Sequence, residues 1–245
     1  MLGLSGGIHY PRIEPSFANA KSVLYDGTND YVDASTSAGD LNLTNGSISV
    51  WAKLTTGANN DGIISICTGT SGNDKIQIDH QTSSDVLRAL YKFTSGSTTS
   101  RVASKSIAEA ALISAGWVHI VATWDVDVDS LILYYNGSSA GTNTDGLTVY
   151  QTTPDRVHVG KAANANNTYW KGNIDELGIW TRTLSAKSVS EIYNGGTPKD
   201  LNEGYSAGLI QYLRFEESSG TIKDYSGNGN TASASGATQN QSETP

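Results

Sequence analysis

Short segments that alternate apolar with polar residues are the feature that most limits how this 245-residue chain can fold. In the clearest, 47–54, every second residue from Ile48 to Leu54 is apolar. Residues 131–135 lead into Asn136-Gly137, a pair that supplies the positive φ angles of a type I′ hairpin turn. A period of two puts successive side chains on opposite faces, so these segments predict strands. Further strands are predicted at 22–25, 62–67, 75–79, 86–93, 117–124, 129–136, 155–160, 174–181 and 208–216.

A single segment has the pattern of a helix. Residues 184–195 place Ser185 at an N-cap position and Gly195 at the end, with Val189 and Ile192 on one apolar stripe. Many strands and one helix predict an all-β fold, an antiparallel jelly-roll β-sandwich with one short helix.

The predicted strands occupy one continuous stretch of the chain. Residues 1–20 contain Pro11 and Pro15, which break regular structure, and we interpret them as an N-terminal arm. Residues 21–230 are predicted to form one jelly-roll domain. Residues 231–245 are rich in Ser, Ala, Thr, Gln and Asn, a composition that predicts a flexible tail.

Charge and cysteine content exclude several classes of protein. The chain has 24 acidic and 16 basic residues and a formal net charge of -8, so we expect no nucleic-acid partner. No apolar run approaches 18 residues, so we expect no membrane insertion. Cys67 is the only cysteine, which excludes an intrachain disulfide framework and a cysteine-based zinc site. The first eight residues lack the basic region and apolar run of a signal peptide, so we expect no export signal.

Five segments carry a resemblance to a known family. They are residues 25–32, 46–53, 116–125, 131–137 and 172–185. In order and spacing they resemble the laminin-G-like family of concanavalin A-like jelly rolls, over residues 22–197. The resemblance implies a binding and adhesion module that recognises a glycan or a cell-surface polymer at a loop-built rim.

The C-terminal part departs from that family's order. Residues 213–230 resemble the family's usual opening segment, but here they follow the predicted helix. We interpret this as a circular permutation in which 208–216 supplies the closing strand, because the family's termini lie close together. The alternative is a truncated second copy of the domain. A segment of about 35 residues cannot bury its own sheet face, which favours permutation.

The resemblance also implies a calcium site. Alternation puts Asp175 on the same face as Leu177 and Ile179, and a carboxylate on an apolar face must pair, lose its charge or bind a cation. In laminin-G-like domains the acid of this strand and an Asp-x-Ser-Gly-x-Gly-Asn loop help to hold calcium. Here that loop supplies Asp224 and Asn228, oxygen ligands of the kind that calcium prefers. The complete set of predicted ligands is Asp175, Asp224, Asn228, Asp30 and Asp26. The alternative is that these side chains only form the hydrogen bonds of turns.

Aromatic and amide side chains near residue 168 form a candidate glycan site. Sugars bind against an aromatic face with amide or carboxylate groups beside it. Trp170, Tyr169, Asn166 and Asn167 provide this combination. The alternative is that Trp170, like the tryptophans of the predicted strands, packs in the core of the sandwich.

Motifs of catalysis are absent or lack their structural context. No Glu-x-Asp-x-x-Glu segment occurs, although jelly-roll glycosidases resembling this chain carry one. Asp175 and Glu176 are adjacent in a predicted strand, so they are expected on opposite faces. Three Gly-x-Ser-x-Gly segments do not lie at a strand-to-helix turn, which a serine nucleophile requires. We therefore predict that the protein is not an enzyme.

These expectations lead to one function and two alternatives. We predict a non-catalytic binding and adhesion module on the surface of a virus particle, with other virion subunits bound through the N-terminal arm. A virion protein reaches the cell exterior by lysis and needs no export signal; otherwise the chain would be cytoplasmic. The alternatives are a purely structural assembly protein and a glycoside hydrolase.

Overall fold

The computed structural model describes residues 17–56, 61–69, 72, 74–95, 97–149, 152–163 and 168–245. The strands are β1 (Ser22–Asp26), β2 (Tyr31–Asp33), β3 (Asn45–Leu54), β4 (Asp61–Cys67), β5 (Lys75–Gln81), β6 (Val86–Ser95), β7 (Ser97–Ser106), β8 (Trp117–Asp125), β9 (Ser130–Tyr135), β10 (Ser138–Asn143), β11 (Arg156–Val159), β12 (Lys171–Trp180), β13 (Leu209–Leu213), β14 (Thr221–Ile222), β15 (Ala232–Ser235) and β16 (Thr238–Gln241). The α-helices are α1 (Glu109–Ala115) and α2 (Ala186–Tyr193), and short 3-10 helices span Ser35–Asp40, Thr82–Ser84 and Asn194–Gly196.

The strands form two antiparallel sheets that pack face to face. Sheet A has the order β10-β9-β8-β3-β12-β1-β16, with β13 also paired to β12, and sheet B has the order β14-β15-β2-β11-β4-β5-β6-β7. The predicted all-β jelly-roll sandwich is therefore confirmed. The helix content differs from the prediction, because α1 precedes β8 in addition to the predicted α2. Its seven residues are too few to show a helical period clearly in the sequence.

Alternation along the strands produces the core between the sheets. The inward residues of β3 in sheet A, such as Ile48 and Val50, face β4 and β5 residues such as Ile64 and Ile78 in sheet B. All are fully buried, and each contributes about 1.5 to 3 kcal/mol relative to an exposed side chain.

Helix α2 covers the outer face of sheet A. Ser185 accepts a hydrogen bond from the Ser188 amide and caps the helix, which ends at Asn194 with positive φ. The helix buries Val189 and Ile192 against Trp180, in a second apolar cluster that is separate from the core between the sheets. The outer faces of the two sheets therefore differ, because a helix covers sheet A.

The chain after α2 returns to both sheets. β13 and β16 join sheet A, while β14 and β15 join sheet B. The residues predicted as a flexible tail, 231–245, thus include two paired strands, and the tail prediction is wrong for this segment. The polar composition suggested disorder because these strands lie at the rim of the sandwich and bury few side chains. In β15, Ala232 is buried, whereas Ser233 and Ser235 are exposed.

A bulge in β12 separates its two neighbours on one side. Residues 171–174 pair with β1 and residues 177–180 pair with β13. Across the strand, Asp175 faces Trp51 and Gly178 faces Ser49, so one extra residue lies between them. The extra residue shifts the alternation, and Asp175 shares its face with Gly178 rather than with Leu177. The predicted placement of Asp175 beside Leu177 and Ile179 was therefore wrong.

Candidate functional site

A hairpin crosses the outer face of sheet B. After β11 the chain turns at Gly160, whose φ of +81° favours glycine and whose Cβ would lie 2.3 Å from the Tyr25 ring. Lys161 then pairs with Tyr169, and the Ala162 amide donates to the Thr168 carbonyl at 2.8 Å. We call the described residues of this hairpin, 161–163 and 168–169, the crossing hairpin.

Polar side chains of sheet B hold the crossing hairpin in place. The Ser65 hydroxyl donates to the Lys161 carbonyl at 2.8 Å, and the Gln77 side-chain oxygen accepts from the Ala163 amide at 2.9 Å. The Lys75 ammonium donates to the Ala163 carbonyl. A Cβ on Gly62 would lie 2.0 Å from the Ala162 nitrogen, so the close approach requires glycine there. These contacts therefore attach residues 161–163 to this face.

Two residues of the hairpin, Lys161 and Tyr169, contact Tyr31 and His158 of the adjacent strands or lie close to them. The Lys161 ammonium lies 4.6 Å from the centre of the Tyr31 ring and 5.5 Å from that of Tyr169. The His158 ring packs edge-on against Tyr31, with 4.9 Å between ring centres. All four side chains are half-buried. We call these four residues the tyrosine cluster, after the two partly exposed tyrosine rings that they include.

A polar cavity lies on the same side of sheet B. Its volume is about 290 Å³, close to the lower end of the ~300–1,000 Å³ of small-molecule sites. Asp33 links it to the tyrosine cluster, because Asp33 pairs with His158 on one side and with Ser233 on the other. Strand spacing puts Ser233 and His158 roughly 10 Å apart. The cavity is lined by Asp33, Ser35, Thr36, Thr221, Thr231, Ala232 and Ser233.

The charges around the cluster affect one another. The pKa of His158 is lowered, first by burial and then by the Lys161 ammonium, while Asp33 opposes the shift. Burial lowers the pKa of Lys75 to about 8; the Asp79 carboxylate opposes this shift, and the cations Lys92 and Arg88 add to it. His158 is therefore neutral near pH 7, and this part of sheet B concentrates basic side chains in a chain of net negative charge.

The predicted glycan residues have different outcomes. Trp170 is fully buried and its indole nitrogen donates to the Asn173 carbonyl at 3.3 Å, so its ring is not available to a ligand. Trp170 packs in the core between the sheets, as the alternative interpretation of this residue predicted. Tyr169 is half-buried in the tyrosine cluster. Asn166 and Asn167 lie outside the described residues.

The sequence analysis missed Tyr31, His158 and Lys161. A signal was present: Tyr31 and Asp33 flank the buried Val32, and His158 lies between two buried valines. Alternation alone therefore places these side chains on the outer face. Pairing between β2 and β11, which the sequence does not reveal, brings them together.

The loop predicted to bind calcium is occupied by its own backbone. Asp224 accepts four hydrogen bonds, from the Tyr212, Ser226 and Asn230 amides and from the Ser226 hydroxyl, at 2.8 to 2.9 Å. Asn228 turns its amide nitrogen inward, where it donates to the Leu209 carbonyl at 2.9 Å. These side chains fasten the loop to β13.

The two other predicted ligands, Asp26 and Asp30, lie at the turn between β1 and β2 and also accept hydrogen bonds from its backbone. Asp26 accepts from the Thr28 amide at 2.7 Å, and Asp30 accepts from the Asp26 amide at 3.0 Å. Burial raises the pKa of Asp30. Both carboxylates therefore have roles in the turn.

Asp175 and Glu176 form a buried acid pair at the β12 bulge. Glu176 has a φ of +46° and accepts a hydrogen bond from the Tyr212 hydroxyl, which places it on the outer side of sheet A. No donor in bonding geometry reaches Oδ2 of Asp175. Burial raises the pKa of Glu176 to about 8 although the Arg214 guanidinium lies 3.6 Å away, and burial also raises that of Asp175.

The five predicted calcium ligands do not fit a metal site as a set. Only Asp175 among them is a buried carboxylate with an oxygen that no donor reaches. In the described part of the chain, no three His, Cys, Asp or Glu side chains are grouped so that they could hold a metal ion.

Among the described residues, no helix is long and apolar enough to span a membrane.

Comparison with known proteins identifies the family. A family model described as the concanavalin A-like lectin/glucanases superfamily, of the laminin-G type, matches residues 26–190. The chain belongs to this family, as the five sequence segments implied. No curated protein matches the chain.

Several solved structures share the fold at low sequence identity. A protein from Bacteroides ovatus described as a carbohydrate binding protein has a TM-score of 0.60 and 13% identity, over 94% of this chain and 62% of its own. The CBM40 module of the Ruminococcus gnavus IT-sialidase, solved with α2,3-sialyllactose, has a TM-score of 0.58 and 17% identity, over 71% of this chain and 96% of its own. Domain 4 of the Geobacillus stearothermophilus arabinanase AbnA, solved with arabinotriose, has a TM-score of 0.52 and 17% identity, over 70% of this chain and 76% of its own. This chain thus spans less than two thirds of the Bacteroides protein.

Proposed function

We propose that this protein is a non-catalytic carbohydrate-binding module whose binding face is the outer side of sheet B. The observation that carries the proposal is the tyrosine cluster beside the polar cavity. Aromatic rings pack against the C–H groups of a sugar, and nearby polar groups bind its hydroxyls. Similar folds solved with sialyllactose and arabinotriose support the choice of ligand class.

Two properties of the site suit a glycan. The rings of Tyr31 and Tyr169 are held by neighbouring contacts and so lose little freedom when a ligand binds. At the cavity, the Thr221 hydroxyl can both donate and accept hydrogen bonds, while the Ser35 and Thr36 hydroxyls already donate to Asp33 and to the Thr231 carbonyl. Sugar hydroxyls have the same dual capacity.

Binding to a glycan array tests the proposal. The wild-type protein should bind a subset of glycans, and Tyr31→Ala or Tyr169→Ala should weaken that binding about tenfold or more, as for a central aromatic contact. Tyr31→Phe and Tyr169→Phe keep the rings and should retain most of it. Absence of binding by the folded protein, or binding unchanged in both alanine variants, would contradict the proposal.

The carrier of the module is a finer part of the proposal. We propose attachment to the surface of a virus particle through the N-terminal arm, a placement supported only by sequence features. Within that arm, Phe17 packs under the Arg214 guanidinium and the Ala20 amide donates to Glu216 at 2.8 Å. Contact with other subunits would therefore involve residues before Phe17. Co-sedimentation with purified particles, lost when residues 1–16 are deleted, is the expected result.

A further inference from the structure

Lys161 is a charged group whose contacts are aromatic. Its ammonium lies between the rings of Tyr31 and Tyr169, and it forms no ion pair with any residue that the structure describes. The Lys161 residue as a whole is half-buried. A cation in such a position is stabilised when an anion binds beside it.

The surrounding face has a surplus of basic groups. Lys75, Lys92 and Arg156 occupy outward positions on β5, β6 and β11. Arg156 lies opposite Cys67 where β11 pairs with β4, and Lys161 follows β11 on the same side of the sheet. This surplus contrasts with the net charge of -8 of the whole chain.

The carboxylates of the same face are already engaged. Asp79 forms an ion pair with Arg88, and Asp33 accepts a hydrogen bond from the Ser35 amide at 3.0 Å. Asp155 lies 3.7 Å from Arg156 at the exposed edge. Of the basic side chains on this face, Lys161 is the one that lies against the tyrosine rings, and no carboxylate of the described residues forms an ion pair with it.

We infer that the glycan bound at the tyrosine cluster is anionic, with a carboxylate or sulfate group that pairs with Lys161. This inference rests on the proposed function, because it adds the charge of the ligand to the same site. The rings bind the apolar side of the sugar, the ammonium binds its acidic group, and the cavity beyond Asp33 receives the neighbouring sugar.

The test is an array of matched glycans in neutral, carboxylated and sulfated forms. The wild type should prefer anionic forms, and the preference should decrease as salt rises, because salt screens charge pairs. Lys161→Gln should weaken anionic binding about tenfold, as expected for a charge-assisted hydrogen bond. Lys161→Arg should retain it. Lys187→Gln is the matched control, since it removes the same charge from α2, where Lys187 pairs with Glu191.

The outcomes separate this inference from the proposed function. Preference for carboxylated or for sulfated forms supports the inference and identifies the acidic group. Binding of neutral glycans that is lost in Tyr169→Ala but unchanged in Lys161→Gln overturns the inference and leaves the proposed function intact. Equal weakening in Lys161→Gln and Lys187→Gln overturns the inference as well, because it assigns the effect to net charge. No binding to any glycan overturns both.

Discussion

Asp224 shows how a carboxylate in a glycine-rich loop can organise backbone amides instead of a metal ion. Its two oxygens accept from three backbone amides and one hydroxyl. Asn230 continues the attachment, because its side chain donates to the Ile210 carbonyl and to Asp40, both at 2.9 Å. The loop is therefore joined to β13 by groups that sequence patterns also associate with calcium.

The variant Asp224→Asn tests this role. We expect a loss of about 2 to 3 kcal/mol in the free energy of unfolding, because an amide presents a donor where several amides need an acceptor. The loss should be the same with calcium and with a chelator in urea unfolding. Asp26→Asn is the control and should cost less than about 1 kcal/mol, since the one bond to its side chain is exposed. A destabilisation that disappears with chelator would instead support a calcium role.

His119 gives the fold a dependence on pH. It is fully buried beneath α2, its Nε2 lies 2.8 Å from the Ser49 hydroxyl, and burial lowers its pKa to about 3. The ordinary value is 6.5, so between these two values the unfolded chain binds a proton that the folded chain does not. Stability is therefore complete above pH 6.5 and decreases as the pH falls toward 3.

The variant His119→Phe should flatten this dependence. Between pH 7 and 4 the wild type should lose roughly 3 kcal/mol more than the variant, because each pH unit between the two pKa values contributes about 1.4 kcal/mol. Phenylalanine keeps the ring contacts with Trp51 and Tyr193. Urea unfolding at several pH values measures the difference, and parallel curves for the two proteins would refute the assignment to His119.

At the scale of elements, the crossing hairpin packs directly on Gly62. Gly62→Ala places a Cβ against the Ala162 backbone, so we expect a loss of about 1 to 3 kcal/mol in stability. Glycan binding should weaken as well, because Lys161 and Tyr169 shift with the hairpin. Gly39→Ala is the matched control, since no atom lies within 4 Å of its Cβ. Thermal unfolding and array binding check both effects; wild-type binding in a destabilised Gly62→Ala would separate the hairpin from the site.

Regular alternation made much of the fold predictable, and local irregularities account for the errors. The strand pattern of 47–54 and the cap at Ser185 depend on neighbouring residues, so the sequence shows them directly. The β12 bulge depends on pairing with β3 and β13, which are distant in sequence, so alternation placed Asp175 on the wrong face. The tyrosine cluster was missed for the same reason, because it requires β2 beside β11.

At the scale of the molecule, the two ends of the described chain meet at β1. The β16 strand pairs with β1, and the Ser22 hydroxyl donates to the Glu243 carbonyl at 2.6 Å. The beginning and the end of the described chain therefore lie side by side at the rim of the sandwich. Segments from both ends of the sequence complete the same sheet, a geometry that a circular permutation would produce.

A rearranged chain tests whether the order of the segments matters. Joining Pro245 to Met1 and opening the chain between the exposed residues Glu203 and Gly204 keeps every residue and gives the order that the permutation hypothesis assigns to the family. We expect a folded protein whose midpoint of thermal unfolding lies within about 2 to 4 °C of the original, because a changed loop length costs on the order of 1 kcal/mol. Circular dichroism and thermal unfolding measure this, and array binding should be unchanged because Glu203 lies in the loop between α2 and β13, in the part of the chain that packs on sheet A. An unfolded or aggregated product would show that the present chain order is itself required for folding.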